Sequence, residues 1–119
     1  MMISLHMRSD GRFADHRVET LEAACNHLRN SEQTDVVVLD LHLPDSMGLE
    51  TFTSLHRQFP EVPIVILSGQ EDELFAVEAL AQGAQDYVPK GTVDERVLVR
   101  SLLYAIERNG RQLAERRTW

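Results

Sequence analysis

Three short apolar runs, each closing on a polar residue and followed by a helical pattern, set the rhythm of the chain. Val36-Val37-Val38-Leu39 ends at Asp40, Val62-Pro63-Ile64-Val65-Ile66-Leu67 ends at Ser68, and Asp86-Tyr87-Val88-Pro89 ends at Lys90. Runs rich in β-branched residues and apolar on both faces suit strands of a parallel sheet, because helices cover both of its sides. Between these runs the period becomes that of a helix. Thr20 is placed to cap a segment in which Leu21, Ala24, Cys25 and Leu28 form one stripe. Gly48 to Gln58 sets Leu49, Phe52 and Leu55 on one face before Pro60 stops it. Glu71, Asp72 and Glu73 suit the positive end of a third helix. Its buried face is expected from Leu74, Val77 and Leu80 or Ala81, with Gly83 as the stop. A last helix begins near Asp94 and turns Val97, Leu98, Leu102, Ala105 and Ile106 inward, and Asn109-Gly110 is expected to weaken or end it. Val99, Leu103 and Tyr104 lie off that stripe and read either as an association face or as scattered surface apolar residues. Strand and helix alternating in this way predict a parallel α/β sheet with right-handed crossovers.

A length of 119 residues fits one domain, taken as residues 1–119. Hydrophobic residues at 43% and charged residues at 26% are ordinary globular usage. The single Cys25 excludes an internal disulfide framework and suits a reducing compartment. No apolar run reaches the roughly 18 residues of a membrane span, and no signal-peptide pattern opens the chain, so a cytoplasmic protein without membrane contact is expected. A net charge of -7 argues against this domain gripping a nucleic-acid backbone. The charge is uneven: from Val36 to Glu95 many carboxylates face only Arg57 and Lys90, whereas the end of the chain is basic. The acidic middle reads either as a cation host or as a solvated helical surface. His6, His16, His27 and His56 show no metal-ligand spacing, and Trp119 reads as a frayed terminus.

Ligands of an open parallel sheet bind outside the carboxyl ends of its strands. The residues closing the three runs are Asp40, Ser68 and Lys90. A carboxylate, a hydroxyl and an ammonium at one rim can hold an anion, and the carboxylate can act as a nucleophile toward phosphorus, giving an acyl phosphate. Lys90 is the only lysine of the chain, standing where a compact point charge is useful.

The stretches Val36 to Leu49, Pro63 to Gly69 and Gly83 to Gly91 together resemble the receiver domains of two-component response regulators. The resemblance covers residues 13–108, leaving 109–119 as a tail or helix extension. It implies a three-layer, flavodoxin-like, receiver-type sheet and a bacterial signalling domain that is not an enzyme in the ordinary sense. It further implies that Asp40 accepts a phosphoryl group from a histidine kinase or phosphotransfer protein. Ser68 would be the switch hydroxyl, Tyr87 the switch aromatic and Lys90 the pairing cation. Mg²⁺ would be held by Asp40 and the backbone carbonyl of His42. An aspartyl-nucleophile phosphatase is disfavoured, since that class needs an acid where His42 stands.

Two features depart from the family pattern. Pro89 precedes the lysine and Gly91 follows it, so the usual Lys-Pro bond is missing. More seriously, the central first strand and the acidic pair that completes the Mg²⁺ site are not found, so the sheet reads as N-terminally incomplete. In one threading Phe13 to Val18 is the second strand and Met1 to Asp10 is the back half of the first helix. In another Met2 to Met7 is the central strand, Arg8 to Asp10 a loop and Ala14 to Arg29 one crossover helix, with Asp10 or Asp15 as a stand-in acid. A missing central strand would expose strand edges and favour a homodimer or strand-exchanged oligomer. The alternative function is a degenerate receiver acting as a phosphorylation-independent interaction or dimerisation module.

Overall fold

The computed structural model describes residues 1–31, 33–91 and 94–117, so the expectation for Trp119 lies outside the described residues. Along the chain run β1 (Met2–Met7), β2 (Phe13–Val18), α1 (Leu21–Asn30), β3 (Val36–Asp40), β4 (His42–Leu43), β5 (Ser46–Met47) and α2 (Leu49–Gln58). They are followed by β6 (Ile64–Ser68), a single 3-10 turn at Gln70–Asp72, α3 (Glu73–Gln82), β7 (Asp86–Pro89) and α4 (Glu95–Arg117). The main sheet has the order β2-β1-β3-β6-β7, and β4 and β5 form a separate small hairpin. β3, β6 and β7 are parallel, whereas β1 is antiparallel to both of its neighbours.

Each of the two N-terminal threadings is half right. Phe13 to Val18 is a strand, as the first supposes, but residues 2–7 are not helical. Met2 to Met7 lies inside the sheet beside β3, as the second supposes, but residues 13–18 do not belong to a crossover helix. The reason is local. Asp10-Gly11 is a hairpin turn signal. Gly11 takes φ +84, the Gly11 N–H reaches the Arg8 carbonyl at 3.0 Å, and the Arg12 N–H reaches Asp10 Oδ1 at 2.9 Å. The chain therefore doubles back, and β1 meets β3 head to tail with Met2 opposite Leu39 and Leu5 opposite Val36. The slot expected to be vacant is filled, which removes the premise for strand exchange: the edges of the sheet are β2 and β7.

Two apolar layers sandwich the sheet. On one face Met2, Val37, Leu39, Ile64 and Ile66 pack against α1, α2 and α3 through Ala24, Leu28, Phe52, Leu55, Ala76 and Ala79. On the other, Leu5, Val36, Val38, Val65 and Val88 pack against Leu102 and Ala105 of α4. Thr20 caps α1 as expected, its hydroxyl accepting from the Ala23 N–H at 3.1 Å. Gly83 ends α3 at φ +127, and a Cβ there would stand 2.8 Å from His56 Nε2, so both the turn and the close approach require glycine.

Three helix expectations are corrected. α3 buries Ala76 and Ala79 and packs Leu80 against the same core as expected, while Leu74 is 83% and Val77 52% exposed; the small alanines sit against the core in the place expected of Leu74 and Val77. Val97 is 50% exposed, because the inward stripe of α4 runs through Leu98, Leu102, Ala105 and Ile106. α4 also continues through Asn109-Gly110. There the Asn109 amide donates to the Glu61 carbonyl at 2.8 Å and Gln85 donates to Gln112 at 3.1 Å, pinning the segment to the body. Val99, Leu103 and Tyr104 are exposed.

Phe52 is the largest of the completely enclosed side chains. Phe52→Ala is expected to destabilise the domain by about 3–5 kcal/mol, read as a lower urea midpoint at unchanged slope.

Candidate functional site

Parallel pairing decides where the polar ends of the strands fall. Asp40 is in register with Leu67, and Ser68 with Pro89, so β3, β6 and β7 finish along one rim. Pro89 has no N–H to give, which an edge strand tolerates; the Lys90 N–H takes over, reaching the Ser68 carbonyl at 2.8 Å. The Lys90 ammonium then lies 2.7 Å from Asp40 Oδ2, and the other carboxylate oxygen accepts from the His42 N–H at 2.9 Å. Ser68 is buried at 3% exposure. Lys90 thus meets Asp40, and Ser68 ends the strand between them at the same rim.

Burial works to raise the Asp40 carboxyl, but the Lys90 hydrogen bond and charge, with the His42 N–H, outweigh it and hold the group below its ordinary range. Asp40 is therefore ionised at neutral pH. Tyr87 is half-buried against the core formed with α1, α2 and α3. It also lines a cleft of about 310 Å³ with Ser68, Gly69, Gln70, Glu73, Pro89 and Lys90.

Three carboxylates have structural roles that the sequence did not disclose. Asp45, in the hairpin after Asp40, accepts from the Leu21 N–H at 2.7 Å and the Glu22 N–H at 3.0 Å, and so caps α1 from a distance. Asp86 accepts from the Ser101 hydroxyl at 2.6 Å and fastens α4 to β7. Asp72 is not a solvated first-turn charge but a buried group whose Oδ1 lies 2.5 Å from His42 Nε2. A long sequence separation hides all three pairings. Of the histidines, His16 and His27 stack at 4.0 Å between β2 and α1.

The metal is a matter of donors. Reversal of β1 brings Met1 and Met2 beside Asp40: the Asp40 N–H donates to the Met1 carbonyl at 2.9 Å. The other end of β1 carries the turn to β2, so Asp10 and Asp15 belong to the opposite rim, where Leu5 pairs with Asp15 and Val36. Neither stands in for the missing acids. Among the described residues no group of three or more His, Cys, Asp or Glu side chains gathers to hold a metal. Mg²⁺ would have Asp40 and the His42 carbonyl as donors here and would complete its shell with waters.

A carboxylate, a hydroxyl and an ammonium lie at the carboxyl rim of a helix-flanked α/β sheet of the flavodoxin-like class. The chain belongs to the response regulator receiver domain family, whose profile matches residues 3–102. It is a signalling domain of two-component systems and not a turnover catalyst. Among its relatives, the DNA-binding transcriptional regulator NtrC of Proteus hauseri is 38% identical over 79 residues, covering 66% of this chain and 16% of that protein. The virulence transcriptional regulatory protein PhoP of Shigella flexneri is 32% identical over 97 residues, covering 80% of this chain and 44% of that one. The chain thus spans less than half the length of these relatives. A response regulator receiver domain protein from Clostridium thermocellum superposes with a TM-score of 0.68 at 26% identity, over 78% of this chain and 74% of that one. The adenylate cyclase from Rhodopirellula baltica reaches 0.75 at 18% identity, over 85% and 75% of the two chains, which shows the shared fold. Among the described residues no helix is long and apolar enough to cross a membrane.

The two N–H bonds to Asp45 hold its carboxyl below the ordinary range. The stability they confer is present above the unfolded-state value of about 3.9 and is lost as pH falls through the lower folded-state value. Asp45→Asn, which removes the titrating group, is expected to flatten the acid limb of the stability curve below about pH 4, measured by urea unfolding across pH.

Proposed function

We propose that Asp40 accepts a phosphoryl group from a phosphohistidine of a kinase or phosphotransfer protein. The observation that carries this reading is the 2.7 Å approach of the only lysine to the Asp40 carboxylate, at the rim where Ser68 also ends its strand. An Asp40 oxygen attacks phosphorus; the new O–P bond forms as the P–N bond breaks, and the donor imidazole leaves with the electron pair and takes up a proton. Lys90 moves from the carboxylate to the transferred oxygens, where a fixed positive charge lowers the barrier. The Ser68 hydroxyl donates to one of those oxygens. Its displacement opens room for Tyr87 to move into the adjoining cleft, which changes the surface between α3 and α4.

A second reading, a phosphorylation-independent interaction module, is favoured by one observation: the reversed β1 brings no acid to the rim. Intact mass after treatment with acetyl phosphate and Mg²⁺ separates the two. A single phosphoryl adduct is expected, absent in Asp40→Asn and formed about 100-fold more slowly in Lys90→Ala. An unmutated chain that takes up no phosphoryl group supports the second reading and removes the first.

A further inference from the structure

The carboxylate of Asp72 is the least explained charge in the domain. Its side chain is only 4% exposed and bonds the His42 ring, which is itself 40% exposed. Asp72 also occupies the N-cap position of α3, where an aspartate ordinarily accepts from the N–H two or three residues on. Here its side chain makes no such bond, with backbone φ -103 and ψ 3. The helix start is left without its side-chain cap while the natural capping group is engaged elsewhere. Both partners are wired to the rim. The N–H of His42 holds Asp40 Oδ1, and the N–H of Asp72 donates to the carbonyl of Gly69, next to Ser68.

We infer that Asp72 is a two-position latch governed by His42. With Asp40 unmodified, the imidazole holds the Asp72 carboxylate across the gap between the β3–β4 connection and the start of α3. An acyl phosphate on Asp40 brings nearly two negative charges and three acceptor oxygens beside His42. These compete with Asp72 for the ring. Released, the Asp72 carboxylate turns back onto its own helix and accepts from the N–H of Leu74 or Phe75. The outward residues Leu74 and Val77 sit on the helix so re-anchored, and the occupancy of the rim thereby reaches an exposed apolar surface. His42 and Asp72 are positioning residues; neither carries the phosphoryl group. The signalling half of this inference rests on the reading of Asp40 as the acceptor.

Amide hydrogen exchange at Leu74 and Phe75, with β3 and β6 amides as the control for global stability, tests the latch on the unmodified domain. In His42→Ala the freed carboxylate caps the helix, and exchange at Leu74 and Phe75 slows about fivefold relative to that control. Adding Asp72→Ala to His42→Ala removes the protection. A merely structural pair predicts the opposite sign, because an orphaned buried carboxylate loosens the region; faster or unchanged exchange in His42→Ala overturns the latch. A second arm uses acetyl phosphate with Mg²⁺ and confirms the adduct by mass. The adduct-bearing chain is expected to show the same local protection. An adduct without that protection overturns the latch and leaves the acceptor reading standing. Absence of an adduct overturns the acceptor reading and leaves the unmodified-domain arm to decide whether the latch exists.

Discussion

A completely buried strand needs backbone partners along both of its edges. Val36 to Leu39 are enclosed on both faces, and no water is available there to satisfy an unpaired N–H or C=O. β6 supplies one edge. The other must come from the N-terminal segment, which a tight turn at Asp10-Gly11 has already folded into a hairpin with β2. The ladder is therefore completed by β1 running backward. From that one requirement follow the position of β2 at the edge of the sheet and the placing of Asp10 and Asp15 away from Asp40, since a reversed strand delivers its beginning to the rim and its turn to the far side.

The rim is then governed by a single ion pair. Lys90 lies on Asp40 because Pro89 and Ser68 fix the register that precedes it, and because β7 ends where β3 ends. The pair does two things at once. It keeps the carboxylate ionised against the pull of burial, and it holds in reserve the positive charge that a phosphoryl group would need. Around it, Asp45, Asp72 and Asp86 tie the loops and helices at their margins, so these three carboxylates of the acidic middle are structural and not merely solvated.

What the sequence made legible were features with short range or strong periodicity. The runs before Asp40 and Ser68 read as buried strands and the shorter run before Lys90 as a third strand, here at the sheet edge, and strands in that rhythm put their ends together. The direction of β1 was not legible, because a strand reads alike in either sense and only the partner opposite Met2 settles it. The buried face of α3 was misread because hydrophobicity favours Leu74 and Val77 whereas close packing favours Ala76 and Ala79. Asn109-Gly110 carries a stop signal that two distant amide contacts overrule. Between His42 and Asp72 lie the β4–β5 hairpin, α2 and β6, and no local pattern announces their pairing.

The division of the core has a mechanical side. Three helices share one face of the sheet, but α4 is the one helix packed on the other. At about 1.5 Å per residue, its 23 residues extend to nearly the full 37 Å of the longest dimension of the domain. It is joined to the start of β7 by the Asp86–Ser101 bond and, further along, by Gln112 to the neighbouring Gln85 and by Asn109 to the Glu61 carbonyl. All three ties fall after the first turn of α4, so a tilt at the end near Lys90 is taken up by that first turn while the later turns stay fastened to the sheet.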